Sequence, residues 1–202
     1  MCFYSYTFMK GKKRERILRI LLKNPTGSLT QYRIAKEAGC SQPWAHDFLK
    51  NLEKKKLIKN TKVIDIEGLF NYWMEINKYP LYREYNIQNP MDLLKKTTLK
   101  YALTTYYAES LTQRYLFPTR VDIYIRKQDI TEWEKLLTKH GLVGKGNTRL
   151  LLDDEHVFYL NIKKEGLRIV SIPQLILDLL REEGVAIEAA QKLMKKEYHG
   201  IV

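Results

Sequence analysis

The sequence predicts an α/β fold, α+β when taken whole, in two parts. An N-terminal unit of three short helices and a hairpin precedes a C-terminal mixed α/β sheet domain with two terminal helices. Three observations predict this. Apolar residues recur at helical spacing through residues 13–52, then give way to two apolar pairs around a basic tip. Beyond residue 99, strand-like and helix-like stretches alternate, the pattern of a sheet layered with helices. Charge is also divided. The 202 residues hold 35 Lys and Arg against 23 Asp and Glu, a net +12. Residues 1–64 hold 15 against 4, a balance of +11, and residues 65–202 hold 20 against 19.

The elements follow in order. Ile17, Leu18, Ile20, Leu21 and Leu22 predict a helix over 13–23, stopped by Asn24-Pro25-Thr26-Gly27. Thr30 caps a second helix through Ile34, Ala35 and Ala38, closed by Gly39 in the left-handed position. Ser41 caps a third, with Pro43 in its first turn and a buried stripe of Ala45, Phe48, Leu49 and Leu52. It runs into Lys54-Lys55-Lys56, cations that suit a helix C-terminus. Leu57-Ile58 and Val63-Ile64 predict a hairpin with Lys59-Asn60-Thr61-Lys62 at its tip. Ile66, Leu69, Phe70 and Trp73 then have the spacing of a helix that packs one domain on the other.

Prolines at 80 and 90 bound an irregular stretch, so the expected division is 10–75, a linker over 76–90, and 91–202. Further on, the pattern predicts a helix over 91–96, a strand over 99–103, a helix from Thr104 or Thr105 to Tyr115, and a half-buried strand over 120–126. Asp129 and Glu132 form a capping box for a helix to His140, closed by Gly141. Strands are expected over 149–153, 157–163 and 167–171, and helices over 173–183 and 186–198.

Several classes are excluded at this level. No window approaches the roughly 18–20 apolar residues of a membrane span, so no membrane role is expected. Residues 1–9 are aromatic but lack a basic flank before them and a cleavage site after them. Cys2 and Cys40 cannot build a disulfide framework, and a reducing cytoplasm is the expected location.

Residues 12–64 resemble a winged helix-turn-helix domain in order and spacing. The resemblance implies a third helix whose N-terminal residues meet base edges in the major groove of double-stranded DNA, with basic residues around it on phosphates. The groove-facing candidates are Ser41, Gln42, Trp44, His46 and Lys50. The wing candidates are Lys59, Asn60 and Lys62. Arg33 and Lys36, together with Lys12, Lys13 and Arg14 ahead of the first helix, are candidates for backbone contacts. Gln42 can pair bidentately with adenine. Asp47 opposes the reading unless it accepts from a cytosine amine, and Trp44 could equally fill the core.

Chemistry-bearing patterns are weak elsewhere. Gly141, Gly144 and Gly146 flank Lys145, but a phosphate loop needs four residues between its first glycine and the Gly-Lys pair. A turn with positive φ fits better. Asp122 facing Asp153 across adjacent strands would favour a nucleotidyltransferase- or nuclease-like enzyme fed by the N-terminal unit; Asp122 exposed alone would count against it. His46, His140, His156 and His199 have no metal-binding spacing, and no GxSxG occurs. No catalytic residue, metal or cofactor is expected.

Residues Lys100 to Glu109 read Lys-Tyr-Ala-Leu-Thr-Thr-Tyr-Tyr-Ala-Glu. Residues Val170 to Leu180 read Val-Ser-Ile-Pro-Gln-Leu-Ile-Leu-Asp-Leu-Leu, and Glu188-Ala-Ala follows. These stretches are similar to the strand-to-helix segment and the late helix pair of the abortive-infection type IV antitoxins, the AbiEi type. The order of parts agrees across most of the chain, although Ser171-Ile172-Pro173 places its proline later than that family often does. The resemblance implies an autorepressor whose C-terminal domain binds a toxin-like protein partner. A homodimer on two half-sites would widen a small DNA footprint.

Overall fold

The computed structural model describes residues 3–77 and 79–201, with side chains from residue 12 onward. It divides into two compact units, one of residues 1–78 with 194–202 and one of residues 79–193.

The first unit opens with α1 (Phe3–Lys23), α2 (Gln31–Ala38) and α3 (Gln42–Lys54). The strands β1 (Ile58–Lys59) and β2 (Lys62–Val63) pair antiparallel, and α4 (Ile66–Ile76) follows. The helix α1 starts ten residues before the apolar pattern that predicts it, so Lys12, Lys13 and Arg14 lie within it rather than ahead of it. Its apolar face, Ile17 to Leu22, is buried together with Ile34, Ala35 and Ala38 of α2 and the stripe Ala45, Phe48, Leu49 and Leu52 of α3. The α4 residues Ile66, Leu69, Phe70 and Trp73 are buried, and α4 packs on α1 within this unit. The chain end belongs here too. Tyr198 donates to the Leu22 carbonyl at 3.0 Å, and its ring meets Phe70 edge-on at 6.2 Å. A 91–202 domain is therefore corrected at its end, because a buried hydroxyl needs an acceptor and the end of α1 supplies it.

The second unit is built on a seven-stranded sheet among the described residues, ordered β6-β3-β7-β5-β4-β9-β8. Its strands are β3 (Leu81–Ile87), β4 (Ala102–Thr104), β5 (Val121–Arg126), β6 (Gly141–Val143), β7 (Thr148–Asp153), β8 (Ile162–Lys164) and β9 (Leu167–Ile169). The β5–β7 and β4–β9 pairs are parallel and the rest antiparallel. The helices are α5 (Pro90–Lys96), α6 (Thr105–Thr112), α7 (Ile130–Thr138), α8 (Ile172–Leu180) and α9 (Val185–Glu197), whose last residues belong to the first unit. Both α6 and α8 pack on β4. None of the described helices is long and apolar enough to cross a membrane.

Four expectations are corrected here. The linker over 76–90 holds β3, whose residues 81–84 are polar or exposed; pairing with β6 and β7 makes it a strand, not its own pattern. The strand β5 is buried on both faces, not half-buried, because it lies between β4 and β7 under helices. Asp129 stands at the N-cap of α7, but its side chain makes no capping bond; its carboxylate takes the Arg126 guanidinium at 2.5 and 2.9 Å instead, and α7 stops at Thr138, ahead of the edge strand β6 that Gly141 begins. Residues 155–158 form a 3-10 turn rather than the start of a strand.

Candidate nucleic-acid interface

The surface made by α2, α3 and the hairpin is set by local signals. Thr30 Oγ1 accepts the Arg33 amide at 3.2 Å, which satisfies one free N–H at the start of α2. Gly39 ends that helix at φ +65. The chain then turns through Cys40, and Ser41 with Pro43 opens α3, although the Ser41 side chain makes no capping bond. Burial of Ala45, Phe48, Leu49 and Leu52 turns the opposite face of α3 outward. Ser41, Gln42, His46, Asp47 and Lys50 are all exposed. Gln42, His46 and Lys50 follow one another at a spacing of four and form a single stripe. Trp44 lies off it. Two residues from His46 is about 200° around a helix, and the Trp44 ring is half-buried and stacked on Phe48 at 5.7 Å.

The hairpin is fixed to the turn that follows α1. The Val63 amide donates to the Pro25 carbonyl at 2.9 Å, Thr61 Oγ1 donates to the Gly27 carbonyl at 3.2 Å, and Thr26 bridges to Lys62. Asn60 takes φ +56 at the tip, and its amide donates to Glu53 Oε1 of α3 at 2.9 Å. Ile58, Thr61 and Val63 are buried, so Lys59, Asn60 and Lys62 point to solvent. Lys36 is exposed, and Arg33 is exposed but paired with Glu37 four residues on.

Part of the basic surplus is spent inside the unit. Arg19 is buried with its guanidinium 5.5 Å from the Trp73 ring, and Arg16 Nη1 donates to the Ala38 carbonyl at 3.2 Å. Lys12 pairs with Glu15 at 3.4 Å. Arg14 is exposed and lies 6.0 Å from the Phe48 ring. Even so, residues 1–78 with 194–202 hold 18 Lys and Arg against 8 Asp and Glu, and residues 79–193 hold 17 against 15.

Two residues that sequence reasoning missed support this surface. Glu53 holds the hairpin tip, and Gln31 Oε1 lies 2.9 Å from His46 Nδ1. Both act between elements, so helical or strand spacing carries no sign of them.

The second unit does not bring the paired carboxylates together. In the register of β5 and β7, Asp122 stands opposite Arg149, and Asp153 opposite Arg126. Asp122 is fully buried. Its carboxylate takes two bonds from Arg120 at 2.7 and 3.0 Å and two from Arg149 at 3.0 Å, and Thr105 Oγ1 also donates to it. Both guanidiniums also reach Glu182, Arg149 at 2.6 Å and Arg120 at 3.2 Å. Burial alone would raise the Glu182 carboxyl; the hydrogen bond and charge of Arg149, helped by Arg120, outweigh it and hold it below the usual glutamate range. Asp153 Oδ1 accepts the Asp154 amide at 2.7 Å. Among the described residues no group of His, Cys, Asp and Glu is placed to hold a metal ion.

The glycine-rich stretch is structural. Gly144 takes φ +136 with its amide donating to the Glu84 carbonyl at 3.0 Å, and a Cβ on Gly146 would lie 2.5 Å from the Tyr85 carbonyl. No family model matches the chain, and neither a curated protein nor a solved structure matches it.

Proposed function

We propose that the chain is a sequence-specific DNA-binding transcriptional regulator whose N-terminal unit is a winged helix-turn-helix. The observation that carries this reading is the exposed stripe Gln42, His46 and Lys50 on α3, next in the chain to a hairpin that exposes Lys59, Asn60 and Lys62, in a strongly basic unit. Gln42 and His46 offer hydrogen bonds to base edges, while Lys50, Lys59, Lys62, Lys36 and Arg14 offer positive charge to phosphates. Arg33 contributes less, because Glu37 partly neutralises it.

The second unit is nearly neutral, and Asp122 is committed to two arginines, so the proposal gives that unit no catalytic role. It serves as the partner-binding or regulatory part. The similarity of residues 100–109 and 170–190 to the AbiEi-type antitoxins makes an autorepressor with a toxin-like protein partner the specific form of this reading, working in the cytoplasm and as a homodimer on paired half-sites.

Fluorescence anisotropy of the full chain on a labelled random-sequence duplex tests it. Neutralising about six phosphates gives a slope of log K on log salt near −5, so binding at 50 mM salt should fall about a thousandfold by 200 mM. No duplex binding at 50 mM salt overturns the proposal.

A further inference from the structure

Gln31 and His46 sit on different helices and meet at the exposed face of α3. The Gln31 Oε1 to His46 Nδ1 distance is 2.9 Å. An amide oxygen only accepts, so Nδ1 carries the proton of this bond. A neutral imidazole has one N–H, and with Nδ1 protonated the other nitrogen, Nε2, is left as an acceptor. His46 is exposed, and its ring makes no other hydrogen bond among the described residues. Nε2 is therefore free to accept from outside the protein.

Its neighbours on the stripe differ in kind. Lys50 four residues on can only donate, and the Gln42 amide four residues before can do both. In the major groove only adenine N6 and cytosine N4 present amine donors; guanine and thymine present acceptors at the corresponding positions. We propose that Gln31 fixes His46 as a hydrogen-bond acceptor, so that the pair selects an amine-bearing base, adenine or cytosine, beneath the middle of α3. The inference rests on the DNA-binding reading. Gln31 is then a positioning residue, His46 the residue that meets the base. Without the Gln31 acceptor the ring is free to turn over or to change tautomer, and Nε2–H then favours guanine or phosphate instead.

The test is selection from a random 20-base-pair duplex library with the full chain as wild type, Gln31→Met and His46→Ala, at pH 8 and 100 mM salt. The wild type enriches adenine or cytosine at one position of its selected site. Both variants lose that preference by about 3- to 10-fold, the worth of one hydrogen bond. Circular dichroism spectra and thermal midpoints that match wild type show that both variants fold. A purely structural role for Gln31 lowers affinity for all duplexes alike and leaves base preference unchanged; that result overturns the proposal. So does retention of the wild-type preference by either variant. Failure of the wild type to bind any duplex overturns the DNA-binding reading together with this inference, whereas unchanged selection by the variants overturns this inference alone.

Discussion

Asp122 shows what a single side chain demands once it is buried. Its carboxylate has no solvent contact and takes bonds from two guanidiniums and the Thr105 hydroxyl. Thr105 itself sits at φ +50, a conformation that costs a β-branched residue about 1–2 kcal/mol, and the bond to Asp122 helps to hold it there. The Arg149 guanidinium lies 5.4 and 5.3 Å from the Tyr79 and Tyr82 rings and that of Arg120 5.5 Å from the Tyr106 ring, so each guanidinium that faces Asp122 is fixed on other sides too. Removing one member strands the others. Asp122→Ala should cost about 3–5 kcal/mol, read as a lower midpoint in urea denaturation; a loss under about 1 kcal/mol would show that the arginines find water instead. Glu182 gives the same network a pH dependence. Its folded pKa lies below the unfolded value, so its contribution is complete above about pH 4.3 and is lost as pH falls through the lower folded value. Thermal denaturation between pH 7 and pH 3 should therefore fall more steeply for wild type than for Glu182→Gln. Asp178 has the opposite sign: burial raises its pKa despite Arg181 and bonds from Thr104, Tyr124 and Gln174, so its ionised form weakens the fold as pH rises.

At the scale of elements, α2, α3 and the hairpin depend on two glycines. Gly39 at φ +65 lets α2 end in one residue, and a Cβ there would lie 3.1 Å from Arg16 Nη1. Gly39→Ala should cost about 1–2 kcal/mol of stability, measured by chemical denaturation. Gly27 is tighter: it has φ +79, and an added Cβ would lie 2.9 Å from Lys62 Cβ. Gly27→Ala should therefore push the β2 side of the hairpin off its seat, and faster amide hydrogen exchange at Val63 is the expected sign. Much of this unit was legible in the sequence, since caps, proline and the buried stripe of α3 are local signals. The second unit was less so. Nothing in Leu81 to Ile87 alternates cleanly, and β6 is only three residues long; both become strands through partners 50 or more residues away. Asp122 and Tyr124 broke the expected half-buried pattern of β5 because their polar groups are satisfied inside, Tyr124 by Asp178 at 2.9 Å and Asp122 by arginine.

For the whole molecule, the proposed function makes charge a local property. Lys59→Ala and Lys62→Ala should each flatten the salt slope of duplex binding by about one and weaken all sequences alike. Lys163→Ala and Lys164→Ala, exposed on the edge strand β8 of the second unit, should leave both slope and affinity unchanged. Anisotropy titrations from 50 to 200 mM salt compare the four, and equal effects from both pairs would place binding on net charge rather than on the N-terminal unit.

The partition of charge, the places of α2 and α3, the hairpin and the outward stripe of α3 can be read from the sequence alone, whereas α1 begins earlier than its apolar pattern and Ser41 makes no capping bond. Each legible feature depends on neighbours within a few residues, or on simple counting. Which charges face solvent depends on packing between distant residues. That packing spends Arg16 and Arg19 inside the first unit, joins Gln31 to His46, ties the hairpin to Gly27, and sets Asp122 against Arg149 instead of Asp153. Those pairings join residues from about 15 to more than 50 positions apart, and only the packing of helices and the register of strands bring them within bonding distance.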